Sequence, residues 1–126
     1  MRITYLLFIL TPFAMNVSAQ TKKESDKLLQ HVVLFKFKDD AKPEDVKKIE
    51  VAFNALKSQI KEIKALEWGL NNSPENLNQG FTHCFLVSFA SEKDREIYLP
   101  YPKHKEFVAL LGPVLDKVLV IDYWQK

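Results

Sequence analysis

HVVLFKFK, residues His31 to Lys38, opens the folded part of the chain and decides how the rest is read. It is crowded with Val and Phe, and β-branched and aromatic residues favour a pleated strand. Asp39-Asp40-Ala41-Lys42 then makes a polar turn. Pro43 suits the first turn of a helix, and Glu44 and Asp45 favour that helix's positive end. Val46, Ile49, Phe53, Leu56, Ile60 and Ile63 follow at spacings of 3, 4, 3, 4 and 3, one apolar stripe on a helix of about twenty residues. A coiled coil needs a longer repeat, so the stripe reads as core packed on a sheet.

The remaining elements follow in turn. ALEWGL (Ala65 to Leu70) is a short strand, ended by the loop-forming Asn71-Asn72-Ser73-Pro74. FTHCFLVSF (Phe81 to Phe89) is the clearest second-half strand. Ser91 with Asp94 three residues on resembles a capping box, opening a helix that Pro100 interrupts. A further helical stretch starts near Pro102 and carries Phe107, Leu110, Leu111 and Val114, with Gly112-Pro113 near its end. VLVIDYW (Val118 to Trp124) closes the chain as a strand. The order β-α-β-β-α-β predicts a ferredoxin-like α+β unit, an antiparallel sheet with both helices on one face.

What precedes His31 has a different character. Met1-Arg2, the almost uncharged run Ile3 to Val17 and the exit Val17-Ser18-Ala19-Gln20 have the pattern of a cleaved export signal. The run is shorter than the roughly twenty residues a bilayer span needs. The reading is therefore residues 1–19 as signal peptide, 20–30 as polar linker and 31–126 as the folded domain. It implies an exported protein, periplasmic or secreted, with no membrane association after cleavage. The whole chain has 126 residues, one domain's worth, and its formal charge of +2 gives no field to attract nucleic acid. The single cysteine, Cys84, excludes an internal disulfide and a cysteine-rich zinc site.

Residue parity sorts each strand by face. One face carries His31, Val33, Phe35 and Phe37; then His83, Phe85, Val87 and Phe89; then Val118, Val120 and Asp122. The other carries Val32, Leu34 and Lys36; then Thr82, Cys84, Leu86 and Ser88; then Leu119, Ile121 and Tyr123. Helices on one side should leave a polar second face, yet both faces here are largely apolar. The second face is thus expected to pack on another copy, as a two-fold homodimer.

The helix-side face has three polar outliers, His31, His83 and Asp122. Buried polar groups cost about 1–3 kcal/mol each if left unpaired, so three together suggest a lined cavity. Pro100 and Pro102 bend the chain between Tyr98 and His104 and can aim both into it. A histidine moves protons near neutral pH, and a tyrosine hydroxyl holds a carbonyl or oxyanion. The expected site has His104 and Tyr98 as acid–base residues and His31, His83 and Asp122 as polar ligand contacts. Val33, Phe35, Phe85 and Val120 form its walls, suited to a small hydrophobic molecule bearing a carbonyl or hydroxyl. Two functions fit: ligand binding, or cofactor-free chemistry of the cyclase, aldol or isomerase type. No short metal-ligand spacing links the three histidines, no glycine-rich phosphate loop is present, and Cys84 reads as a small apolar residue. No metal or cofactor is expected.

His31-Val32-Val33-Leu34-Phe35-Lys36, Trp68-Gly69, Gly80-Phe81-Thr82-His83, and Tyr98 with Pro102-Lys103-His104 together resemble the stress-responsive dimeric α/β-barrel (Dabb) domain from about His31 to Tyr123. The resemblance implies a ferredoxin-like chain whose sheets pair into a dimeric barrel. In plant members that close a polyketide ring by an intramolecular aldol reaction, the catalytic histidine and tyrosine would fall on His104 and Tyr98. Their other pocket histidines match His31 and His83, and a pocket aspartate matches Asp122. The chain departs from them at Tyr101, where they have a histidine, at the additional Pro100, and in the sizes of Phe85 and Leu110. The resemblance therefore carries the fold and not the substrate.

Overall fold

The apolar stripe of the long helix needs a sheet to cover it, and four strands supply one. The computed structural model describes residues 12, 14–16, 23 and 26–126. Most of the expected export signal (1–19), and residues 20–22, 24 and 25 of the expected linker, lie outside the described residues. Among the described residues, no helix is long and apolar enough to cross a membrane. The elements are β1 (Leu29–Phe37), α1 (Pro43–Gln59), β2 (Ala65–Leu70), β3 (His83–Phe89), α2 (Glu92–Tyr98), α3 (Pro102–Leu111) and β4 (Leu115–Trp124). The sheet order is β2-β3-β1-β4 with every neighbour antiparallel. This is the expected ferredoxin-like α+β fold, its second helical region divided in two by Pro100.

Local signals explain most boundaries. Pro43 starts α1, and Ser91 caps α2 by accepting the Asp94 amide on its hydroxyl at 3.0 Å. α1 ends sooner than its stripe, because the backbone turns extended at Ile60. Ile60 and Ile63 are nonetheless fully buried, so the stripe outlasts the helix. β1 starts at Leu29, which corrects the expected linker end at residue 30. Leu29 pairs with Phe89 and Trp124, and the Ser88 hydroxyl donates to Gln30 Oε1 at 2.5 Å. That buried pairing outweighs the polar composition around it. β4 begins at Leu115, three residues early, by pairing with Phe37 across a register shift.

The core lies between α1, α3 and the sheet. Phe53 of α1 stacks on Phe85 of β3 with ring centroids 4.0 Å apart and planes at 11°, and Phe35 and Phe107 close around them. Leu29, His31, Val33 and Phe35 of β1 and the helix-side residues of β3 are buried, whereas Val118 and Val120 of β4 are 49% and 48% exposed. Phe53 of α1 and Phe107 of α3 cover Phe35 of β1 and Phe53 covers Phe85 of β3, while the half-exposed Val118 and Val120 leave a gap along β4. The opposite sheet face carries no helix. Val32, Leu34 and Leu86 are half-buried there, and Cys84, Leu119 and Ile121 are exposed.

Candidate functional site

The gap beside β4 is a cavity of about 540 Å³ roofed by α2 and α3, within the usual range for small-molecule sites. Register determines which side chains enter it. His31 lies directly across from Asp122 in the β1–β4 ladder, and its Nδ1–H donates to Asp122 Oδ1 at 2.6 Å. Val33 and Phe35 of β1 and Val120 of β4 continue the same wall.

The proline-bent segment contributes from above. Tyr98 is the last residue of α2, and Tyr101, extended because a proline follows it, starts the turn into α3. A helix running on would have paired the Leu99 carbonyl with the amide of residue 103. The His104 ring takes that role instead, its Nδ1–H donating to Leu99 O at 2.8 Å. This bond selects the tautomer and leaves Nε2 as the open nitrogen. The Tyr98 and His104 rings sit 4.4 Å apart, and His31 meets Tyr98 edge-on at 5.9 Å. Tyr98 is 1% exposed, yet among the described residues nothing hydrogen-bonds to its hydroxyl.

The electrostatics match these placements. Burial pulls His104 below the ordinary histidine pKa; the Leu99 carbonyl opposes this and nearby His31 reinforces it. The neutral ring is therefore favoured, with the Nε2 lone pair open. Burial also pushes the Tyr98 phenol well above its usual value, so it keeps its proton. The end of the cavity thus pairs a ready base with a ready donor.

Two expected members are elsewhere. His83 is opposite Phe35 rather than His31, because β1 and β3 run antiparallel. Four residues of strand, roughly 13 Å, separate it from the His31 end. There His83 stacks on Trp68, bonds the Thr82 hydroxyl through Nδ1 at 2.8 Å and holds Nε2 3.5 Å from Glu50 Oε2, a contact that makes no hydrogen bond. Phe85 is fully buried beneath Phe53 and walls no part of the cavity.

Sequence reasoning missed Arg95, whose Nη1 donates to Asp122 Oδ2 at 2.7 Å, and the apolar Phe107, Leu111 and Val118. Arg95 stands three residues before Tyr98, on the same helix face. The spacing alone does not single it out, because its partner acid lies on β4. Cys84 lies on the uncovered sheet face, its thiol pKa raised by desolvation and by the Glu67 carboxylate, the reverse of an activated nucleophile. Among the described residues no three His, Cys, Asp or Glu side chains group to hold a metal.

The sequence matches the family described as Stress Responsive A/B Barrel Domain over residues 29–125. The stress-response A/B barrel domain-containing protein HS1 of Arabidopsis thaliana is 41% identical over 95 residues, covering 75% of this chain and 87% of that protein. Olivetolic acid cyclase of Cannabis sativa is 26% identical over 95 residues, 75% of this chain and 94% of the enzyme. Among solved structures, the hydroxynitrile lyase of Passiflora edulis superposes with a TM-score of 0.74 at 25% identity, covering 79% of this chain and 94% of that one. A dimeric ferredoxin-like protein of unknown function from Bacteroides fragilis gives 0.63 at 26% identity, covering 76% and 94%. With all seven strands and helices inside the matched span, this chain belongs to the stress-responsive A/B barrel domain (Dabb) family.

Proposed function

We propose that this chain is an exported homodimer that binds a small hydrophobic molecule bearing a carbonyl or hydroxyl group. One observation carries the ligand: Tyr98 and His104, their rings 4.4 Å apart, both line an apolar cavity, and the protein partners neither the Tyr98 hydroxyl nor His104 Nε2. Polar groups left unpaired at a cavity end have a use when a ligand's oxygen arrives. The homodimer follows from the uncovered apolar sheet face and from the dimeric relative of the same fold. Export follows from the N-terminal pattern of residues 1–19, and mass spectrometry from the native host should find Gln20 first; an intact Met1 would overturn it. Titration calorimetry with decan-2-one as probe should show saturable binding that Val120→Trp abolishes by filling the cavity. No binding of either decan-2-one or decanoate by the wild type would end the reading.

A second reading is supported by the tautomer that Leu99 imposes on His104. A neutral Nε2 beside a phenol donor is the pair needed to take a proton next to a carbonyl while the phenol stabilises the developing oxyanion. Two relatives of this fold are named as a cyclase and a lyase. Deuterium exchange at C1 and C3 of decan-2-one, catalysed by the wild type and lost in His104→Gln, would favour catalysis. Binding without exchange leaves a carrier.

A further inference from the structure

Arg95 gives the polar end of the cavity a charge that the ligand reading above does not use. We propose that the preferred occupant is a hydrophobic carboxylic acid, bound as its carboxylate with the head group at Arg95. The proposal rests on the cavity being a small-molecule site and names the chemical class it takes.

Both oxygens of Asp122 are occupied, Oδ1 by His31 Nδ1 at 2.6 Å and Oδ2 by Arg95 Nη1 at 2.7 Å. Each Asp122 oxygen thus already accepts one charge-assisted bond, and the guanidinium offsets its charge. Without Arg95, the aspartate would leave this end net negative and hostile to an anion. With it, an anion is admitted. A guanidinium has five N–H donors, and among the described residues Arg95 gives one nitrogen to one acceptor, its side chain remaining 25% exposed at the cavity edge. The Tyr98 hydroxyl is a further donor without an acceptor. A carboxylate offers two coplanar oxygens, which suits a guanidinium fork better than a single ketone oxygen does. The alkyl or aryl tail would lie along Val33, Phe107, Val118 and Val120, where no charge competes for it.

The test is calorimetry on the folded protein at pH 7.5 with decanoate and decan-2-one, which share a tail and differ in the head. Wild type should bind decanoate at least about tenfold more tightly, the order of one charge-assisted bond. Arg95→Leu should erase that preference, and Arg95→Lys should restore part of it. Arg95→Leu combined with Asp122→Asn guards against a folding defect from the unpaired aspartate, and it too should lose the preference. Equal wild-type affinity for both probes, or a preference that survives Arg95→Leu, overturns the carboxylate assignment while the cavity reading stands. Failure of both probes to bind overturns the two together.

Discussion

Replacing Tyr98 by Phe separates a side chain that holds the fold from one that serves a ligand. The ring is 1% exposed and wedged among His31, Phe89 and His104, so Phe keeps the packing and removes one oxygen. An unpartnered buried hydroxyl costs about 1–3 kcal/mol by mutational data. The cavity beside this one has room for water, which offsets part of that cost. Tyr98→Phe should therefore be neutral or stabilising by up to about 1 kcal/mol. At about 4–8 °C per kcal/mol for a domain of this size, the melting temperature should hold or rise by that amount. Ligand affinity should move the other way, by about 0.5–1.5 kcal/mol or roughly 2–12-fold, the value of one hydrogen bond. Differential scanning calorimetry and titration with decan-2-one read the two effects. A melting temperature lowered by more than about 5 °C would mean that the hydroxyl holds the structure. An unchanged affinity would mean that it does not meet the ligand.

Three further outcomes are expected. Leu86→Asp places a charge in the middle of the uncovered face and should convert a dimer to monomer or aggregate in sedimentation velocity; a wild type that stays monomeric at high concentration refutes the strand-face argument. Phe53→Ala empties the stack on Phe85 and should cost about 3–5 kcal/mol in urea unfolding, whereas a loss under 1 kcal/mol would place the core elsewhere. His83 and His104 both lie below the ordinary histidine pKa of 6.5 in the folded chain, chiefly through burial. The unfolded chain therefore binds more protons, and stability should fall as pH drops through 6.5 toward the lowered folded values. Urea unfolding of the His83→Gln, His104→Gln double variant should show a flatter decline between about pH 7 and 5.5, and an unchanged slope would refute the assignment.

Face and position along a strand are different kinds of information, and only the first is local. Parity alone placed His31, His83 and Asp122 on the helix side, and all three are there, because the pleat alternates side chains whatever the partner strand does. Which of them meet depends on register. The structure aligns Leu29 with Phe89 on one side and with Trp124 on the other, so strand ends coincide. Counting inward two residues from that shared end brings His31 to Asp122 and to Val87, and leaves His83 opposite Phe35. The same count, made on the antiparallel order already legible in the sequence, would have excluded His83 from the cavity. Phe85 failed for a related reason: lying on the helix side did not distinguish a cavity wall from the core beneath Phe53. The Tyr98–His104 bend was legible because proline acts locally, removing the amides a continuing helix needs. Arg95 was not, since SEKDREIY reads as a solvated charged turn of helix until the acid on β4 is known to lie beneath it. That missing step is a contact between α2 and β4, 27 residues apart in sequence. It brings Arg95 to the polar end of the cavity, and the charge proposed for a ligand follows from it.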